Sequence, residues 1–417
     1  MERRVLPALS LAIQLVLGFF FGHLYDMRIF MATGALVAAG QNPYAPQDLS
    51  RLFHSNLFQG ITTTGYPPPW ALVLGLVYLL VRPLSSDLLV YNLAIKIPII
   101  AANFGLAALV PDILERLGAD ERSRRSAWLF LLFNPFVLFA SAAWGQFDAL
   151  VALLALLALE RLSSGRLTLS ALLLALAIAF KPTAFPLALA AFLFLREKGW
   201  RKRVAYFGVL LVASLLLWVG PFLLFHWSPA PILHGWSAQF SVAGGISCLT
   251  FFELLRDSYQ LSGDMWLVGL VWQPALLLAA FLMRRQADGL VGLLKTGLAL
   301  TLVFFLTRAW LSEPNILLIV PLVLTLALLG EVDRWALTAV WLVPLVFAVF
   351  NTSPIQLLFP SLPGLMARLL QASDVHRTAR LVLRTLTVLP WLAAGGWIVV
   401  RCARRSTAGR QESAAWR

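Results

Sequence analysis

Long apolar runs recur along nearly the whole chain, with basic clusters between them. A helix needs about 17–25 apolar residues to cross a bilayer. In lipid every backbone amide must be satisfied within its own segment, so runs of this kind read as helices. That pattern excludes most soluble architectures before any motif is considered. Composition agrees, since 60% of the 417 residues are hydrophobic and 13% are charged, against roughly 45–50% and 25% in soluble domains. The net charge of +13 belongs to inner loops that orient the spans. Nucleic-acid binding is set aside, because the basic residues flank apolar runs and form no domain of their own.

Charge asymmetry then orders the runs. Arg3 and Arg4 place the first span, about 5–22, as a retained helix entering from the cytoplasm. Residues 27–39 are expected as an amphipathic interfacial helix, and 70–81 as a run too short to span. Spans follow at about 87–110, 127–143 and 148–161. The segment 167–195 is broken at Lys181-Pro182 and reads as two short passes. Further spans are expected at 204–224, 265–283, 291–307, 316–333, 335–350 and 380–400. An outer loop covers 226–264, with an amphipathic piece near 251–259, and another covers 351–378. The expectation is an all-α polytopic membrane protein of about twelve helices with both termini inside. It is one integral membrane domain over 1–417. Cys248 and Cys402 fall on opposite sides and cannot pair, and no Cys/His metal spacing occurs.

The stretch from Asp26 to Trp70 breaks the apolar rule. It carries Gly40-Gln41-Asn42-Pro43-Tyr44 and Tyr66-Pro67-Pro68-Pro69-Trp70. Irregular backbone near the membrane is tolerated where protein buries it or where it lines a cavity, so this first outer loop reads as the wall of a site. Asp26, Tyr66, Asp148, Lys181, Arg308 and Glu313 all emerge on that outer side, with Lys96 about two turns deeper. A charge at helix depth marks a site by default. Each has a plainer reading: Asp26 as a span end, Lys96 as a snorkelling lysine, Asp148 as a helix-dipole partner, Lys181 as a helix cap, and Arg308 with Glu313 as an ion pair. The convergence of all of them on one face favours a site.

In this order Asp26, Gly40-Gln41-Asn42-Pro43-Tyr44, Tyr66-Pro67-Pro68, Lys96-Ile97-Pro98, Asn134-Pro135, Trp144-Gly145-Gln146-Phe147-Asp148, Phe180-Lys181-Pro182 and Ser312-Glu313-Pro314-Asn315 resemble the GT-C superfamily of polytopic glycosyltransferases. The likeness is greatest to glycosyltransferase family 87, and extends more distantly to the mannosyltransferase that starts the GPI glycan. It covers about residues 20–320. A GT-C-like catalytic module is thus expected over 1–330, with additional helices over 331–417. The resemblance implies inverting transfer of a sugar, mannose by default, from a polyprenyl-phosphate donor to a lipid or glycan acceptor. It implies a bacterial inner-membrane location with the site facing the periplasm, and a base at Asp26. In the GPI enzyme an acidic pair occupies this loop; here the residue two after Asp26 is Arg28, so no metal and no other cofactor is expected.

The chemistry fits these residue types. A sugar on a lipid phosphate already has a good leaving group, so the enzyme needs one base for the acceptor hydroxyl and cations for the departing phosphate. Lys181 and Arg308 are the phosphate candidates, with Lys96 a third. Asn42, Tyr44, Tyr66, Gln146, Asp148, Glu313 and Asn315 are candidates for sugar or acceptor contacts, and Trp144 and Trp310 for stacking on a sugar face. Two other classes fit the same features: a transporter or flippase for a lipid-linked or small anionic substrate, and an inactive glycan- or lipid-binding scaffold.

Overall fold

The computed structural model describes residues 2–45, 58, 64–239, 243–259 and 269–404. The polar part of the first outer loop between Ala45 and Thr64, Phe58 apart, and the start of the run expected at 265–283 lie outside them. The chain is a mostly helical membrane protein. Its helices are α1 (Glu2–Phe20), α2 (Leu24–Ala38), α3 (Pro68–Val81), α4 (Leu88–Arg116), α5 (Glu121–Phe133), α6 (Pro135–Leu138), α7 (Asp148–Ser163), α8 (Leu167–Phe180), α9 (Pro186–Phe194) and α10 (Trp200–Leu224). They continue with α11 (Ala230–Gln239), α12 (Thr250–Tyr259), α13 (Trp272–Met283), α14 (Gly289–Thr307), α15 (Val320–Leu328), α16 (Arg334–Phe350), α17 (Ser353–Gln356), α18 (Pro363–Asp374) and α19 (Arg377–Ala403).

Among the described residues five helical runs are long and apolar enough to cross a membrane: α4, the run from α5 to Ala143, α10, α14 and α19. Five shorter apolar helices accompany them, including α1, α3, α8, α13 and α16. Burial sorts the long ones. The most apolar stretch of α14 is 72% buried and that of α10 only 11%, so α14 is central and α10 faces lipid.

Local signals set the ends. Asp87 caps α4 by accepting from the Leu89 amide at 2.8 Å, and Asp120 caps α5 by accepting from Ser123. Asn134 caps α6 through the Phe136 and Val137 amides, with Pro135 in the first turn. Proline likewise opens α3 and α9. After α6 the chain widens into a π-helix over Phe139–Ala143, a feature frequent at functional sites. The break between α8 and α9 falls on Lys181, which is extended at φ −149 and ψ 116.

Three sequence expectations differ from the structure. The segment expected to be amphipathic is α2, which buries Met27, Ile29, Phe30, Met31, Ala32 and Ala35 around its whole circumference. It is a core helix clamped between α3 and α4, because its polar residues fall at its N-terminus and not along one face. The outer loop 351–378 holds α17 and α18 and the start of α19. The all-α expectation has one small exception, a parallel pairing of Gly244–Gly245 with Trp310–Leu311. A Cβ at Gly245 would lie 2.1 Å from the Leu311 carbonyl oxygen, so glycine permits that approach.

Candidate functional site

Asp26 sits in the first turn of α2, and two nitrogen groups converge on one of its oxygens. The Trp144 indole Nε1 donates to Oδ2 at 2.6 Å. His23, which caps α2, brings Nδ1 to 3.1 Å from the same oxygen. The His23 ring stacks on Trp144, with centroids 4.1 Å apart and planes 11° apart, and its amide donates to the Trp144 carbonyl at 3.1 Å. Burial works to raise the Asp26 carboxyl, but the nearby His23 imidazole, together with Trp144 and Gln146, holds it below the ordinary carboxylate range.

Trp144 reaches this position because the π-helix before it is braced from within the bundle. Ser10 donates to the Leu132 carbonyl, Gln14 to Ser10, and Asn103 to both Gln14 at 2.8 Å and Ser141 at 2.7 Å. Gly145 then turns the chain with φ +95, and a Cβ there would meet Met27 Sδ at 2.5 Å and Lys96 Cε at 2.9 Å. Only glycine suits both the angle and the space.

Lys181 forms the second centre. Its Nζ lies 2.7 Å from Asp148 Oδ2 and 3.3 Å from Gln146 Oε1. It also stands over the Phe147 ring at 5.2 Å and the Tyr66 ring at 5.6 Å. Gln146 Nε2 donates to the Tyr66 hydroxyl at 3.0 Å. Phe30, Trp70 and Phe180 complete the aromatic wall, with Trp70 stacked on Phe147 at 4.3 Å. Burial, and then the Asp26 charge, push the Tyr66 hydroxyl far above its ordinary range. Gln146 therefore joins Tyr66 to Lys181, and its amide favours the charged form of Asp26.

A third group comes from the C-terminal part of the chain. Glu313 opens a 3-10 helix over Glu313–Leu318 and accepts from Asn351 at 2.9 Å and Ser353 at 3.4 Å. Arg384 of α19 donates to Asn351 Oδ1 at 2.6 Å and pairs with Glu253 of α12 at 2.7 Å. Asn315 is buried, and its Oδ1 has no partner among the described residues. The division at residue 330 is thus crossed by polar contacts, since α16 and α19 contribute to the surroundings of Glu313.

The remaining expected residues fall into distinct places. The Arg308 guanidinium follows α14, lies 5.0 Å over the Phe304 ring, and has no carboxylate within ion-pair distance among the described residues. Phe304 touches Phe185 and Trp272. Those two rings line an apolar groove of about 550 Å³ with Leu189, Phe192, Phe207 and Leu276. Trp310 is exposed beside Gly244. Lys96 is wholly buried and donates to the carbonyls of Phe21, of Ala143 at 3.0 Å and of Gly18 at 3.4 Å. Asn42 bonds the Tyr44 amide and the Ser228 carbonyl, and Tyr44 bonds the Tyr66 carbonyl at 3.1 Å. Among the described residues no three His, Cys, Asp or Glu side chains stand together as a metal site.

Four residues of the site escaped the sequence reading: His23, Glu253, Asn351 and Arg384. His23 stands three residues before Asp26, the spacing that joins neighbours on one helical turn. Arg384 was visible as a charge entering an apolar helix. Nothing local pointed to Glu253 or Asn351, whose partners are far away in sequence.

Residues 25–198, less than half of the chain, match the family model described as alpha-(1->6)-mannopyranosyltransferase, N-terminal domain. The match supports a mannosyltransferase of the GT-C type, and it is not to glycosyltransferase family 87. No curated protein matches the chain. The matched span holds Asp26, Tyr66, Trp144, Gln146, Asp148 and Lys181, and it ends before Arg308 and Glu313.

Proposed function

We propose that this protein is an inverting glycosyltransferase. It moves mannose from a polyprenyl-phosphate donor to a lipid or glycan acceptor at the outer face of the cytoplasmic membrane. The observation that carries the reading is the Asp26 carboxylate, held by the Trp144 indole, together with the buried Lys181 cation held on Asp148 and Gln146. One group is built to stay charged and to accept a proton. The other is a cation with hydrogen-bonding capacity to spare, since an ammonium has three donors and two meet Asp148 and Gln146.

In this reading the acceptor hydroxyl oxygen attacks the anomeric carbon while Asp26 takes its proton. The bond from that carbon to the phosphate oxygen breaks, and polyprenyl phosphate leaves with the electron pair. Attack and departure occur on opposite faces of the sugar, so configuration inverts. Lys181 and Arg308 stabilise the departing phosphate. The apolar groove suits the isoprenoid tail, because two of its lining rings, Phe185 and Trp272, touch Phe304, over which the Arg308 guanidinium lies. Tyr66, Gln146, Asp148, Glu313 and Asn315 serve the sugar and acceptor, and Trp310 offers an exposed ring. Lys96 is left out of the phosphate set because three carbonyls already hold it. Asn42, Tyr44 and Trp144 act as supports, the last by holding Asp26.

The test is transfer of radiolabelled mannose from polyprenyl-phosphate mannose to a membrane lipid extract, by purified wild type and Asp26→Asn. Loss of about 10²–10⁴-fold in the variant, with the fold intact, is the outcome expected for a base. Equal transfer by both removes Asp26 from that role. No transfer with any lipid-linked sugar, alongside movement of such a lipid across liposomes, replaces the reading with a transporter.

A further inference from the structure

His23 is the one side chain touching Asp26 for which the transfer chemistry has so far found no task. Its Nδ1 faces Asp26 Oδ2 at 3.1 Å. The two atoms stand within ion-pair range, and Nδ1 has no other hydrogen-bond partner among the described residues. Trp144 covers one face of the ring, with centroids 4.1 Å apart. Gly22, just before it, meets Asn92 and the Phe359 carbonyl so closely that a Cβ would lie 2.7 and 3.0 Å from them. Both side chains keep a narrow opening, with 10% of His23 and 12% of Asp26 exposed.

We propose that His23 is the positioning residue of the Asp26 base: Nδ1–H and the Trp144 indole together fix Oδ2, and the charge state of the imidazole sets how readily Asp26 takes a proton. This rests on the transferase reading. A neutral imidazole with its proton on Nδ1 orients the carboxylate and leaves it basic. A second proton, on Nε2, puts a full positive charge beside Asp26 and weakens it as a base. The charged groups facing His23 are few. Asp26 lies on its own helix, and Glu313 interacts with it from the 3-10 helix. Arg384 stands behind Glu313 through Asn351. Lys96 of α4 binds the Phe21 carbonyl two residues upstream. Glu313 favours the doubly protonated ring and Lys96 opposes it.

The experiment uses full-length protein in nanodiscs and two variants. In His23→Asn the side-chain amide can place an N–H where Nδ1 stood, yet it does not titrate. His23→Ala removes the donor. Transfer of radiolabelled mannose from polyprenyl-phosphate mannose to a lipid extract is measured from pH 5 to 9. His23→Ala is expected to lose about 10–100-fold in kcat, the usual effect of removing an orienting partner. His23→Asn is expected to restore most of that rate and to move the acid limb of the profile to lower pH. In parallel, ¹⁵N spectra of histidine-labelled protein, which has five histidines, are expected to show an Nδ1-protonated imidazole that vanishes in His23→Asn.

An unchanged acid limb in His23→Asn overturns the assignment, as does a His23 protonated only on Nε2 at pH 8. A wild type that transfers nothing overturns the transferase reading and this role with it. A wrong tautomer beside an active wild type overturns the role alone.

Discussion

Trp144 reaches across 118 residues of sequence to place its indole nitrogen 2.6 Å from Asp26 Oδ2. The same ring is the platform on which His23 stacks. A residue that looked like a sugar platform in the sequence is thus part of the mount for a carboxylate. Trp144→Phe keeps the stacking surface and removes the N–H. We expect kcat for mannose transfer to fall about 10–100-fold with little change in thermal stability, read by transfer kinetics and a melting curve on the same preparation.

Lys181 and Asp148 form a buried pair at 2.7 Å. Removing one partner of such a pair leaves a buried charge and costs about 3–5 kcal/mol, whereas removing both is often far milder. Lys181→Met and Asp148→Asn should each lower stability more than the double variant relative to its parts. A double-mutant cycle by detergent-phase unfolding measures this. If the single losses simply add, the pair is not coupled. In the folded fraction, Lys181→Met should cost donor turnover that Asp148→Asn does not fully share.

Lys96 is expected to matter for the fold and not for the donor. Its three carbonyl partners lie at the end of α1 and the end of the π-helix. Lys96→Met should lower the melting temperature of the purified protein, because the Ala143 carbonyl loses its side-chain donor at a cost of about 1–3 kcal/mol, while Asn92 still donates to the Gly18 and Phe21 carbonyls. The KM for donor in the surviving folded enzyme should stay near wild type. A rise in donor KM without loss of stability would return Lys96 to the phosphate site.

Asp26 carries a stability signature in pH. Its carboxyl lies below the ordinary range because, against the opposing effect of burial, the fold favours the charged form. The sign follows: such a group contributes stability above the ordinary carboxylate pKa of about 4, and that contribution fades as pH falls toward the lowered value. The melting-temperature gap between wild type and Asp26→Asn is therefore expected to be largest near pH 7 and to close below about pH 4. A gap that widens in acid contradicts it.

Arg384 ties α19 to the site through Asn351 and to α12 through Glu253. Arg384→Ala leaves the partly buried Glu253 without its cation and should destabilise the fold, by less than the ~3–5 kcal/mol of a fully buried pair. Adding Glu253→Gln should recover part of that loss in the same unfolding assay. Transfer should fall more than stability if the network also orders Glu313.

Much of this was legible locally. Apolar runs and their basic flanks set which segments are helices, since a lipid-facing backbone has few ways to satisfy its amides. The break at Lys181-Pro182 and the turn at Trp144-Gly145 were readable because proline and glycine act through their own backbone. Burial of α2 was not readable, because it depends on what packs around a helix and its own residues carry no clear stripe. The helices within 351–378 were missed for the related reason that weak local propensity is settled by neighbours.

Within the site, the residue types came from the sequence and their tasks from the fold. A lone Asp26, Lys96 or Lys181 in an apolar chain announces itself, because an uncompensated charge near lipid is costly. Which group each charge meets is a long-range fact. Tertiary packing set Trp144 and His23 on Asp26, carbonyls on Lys96, and Asp148 with Gln146 on Lys181. Hydrogen bonds and ion pairs act over a few ångströms in space, and distance along the chain does not encode that separation.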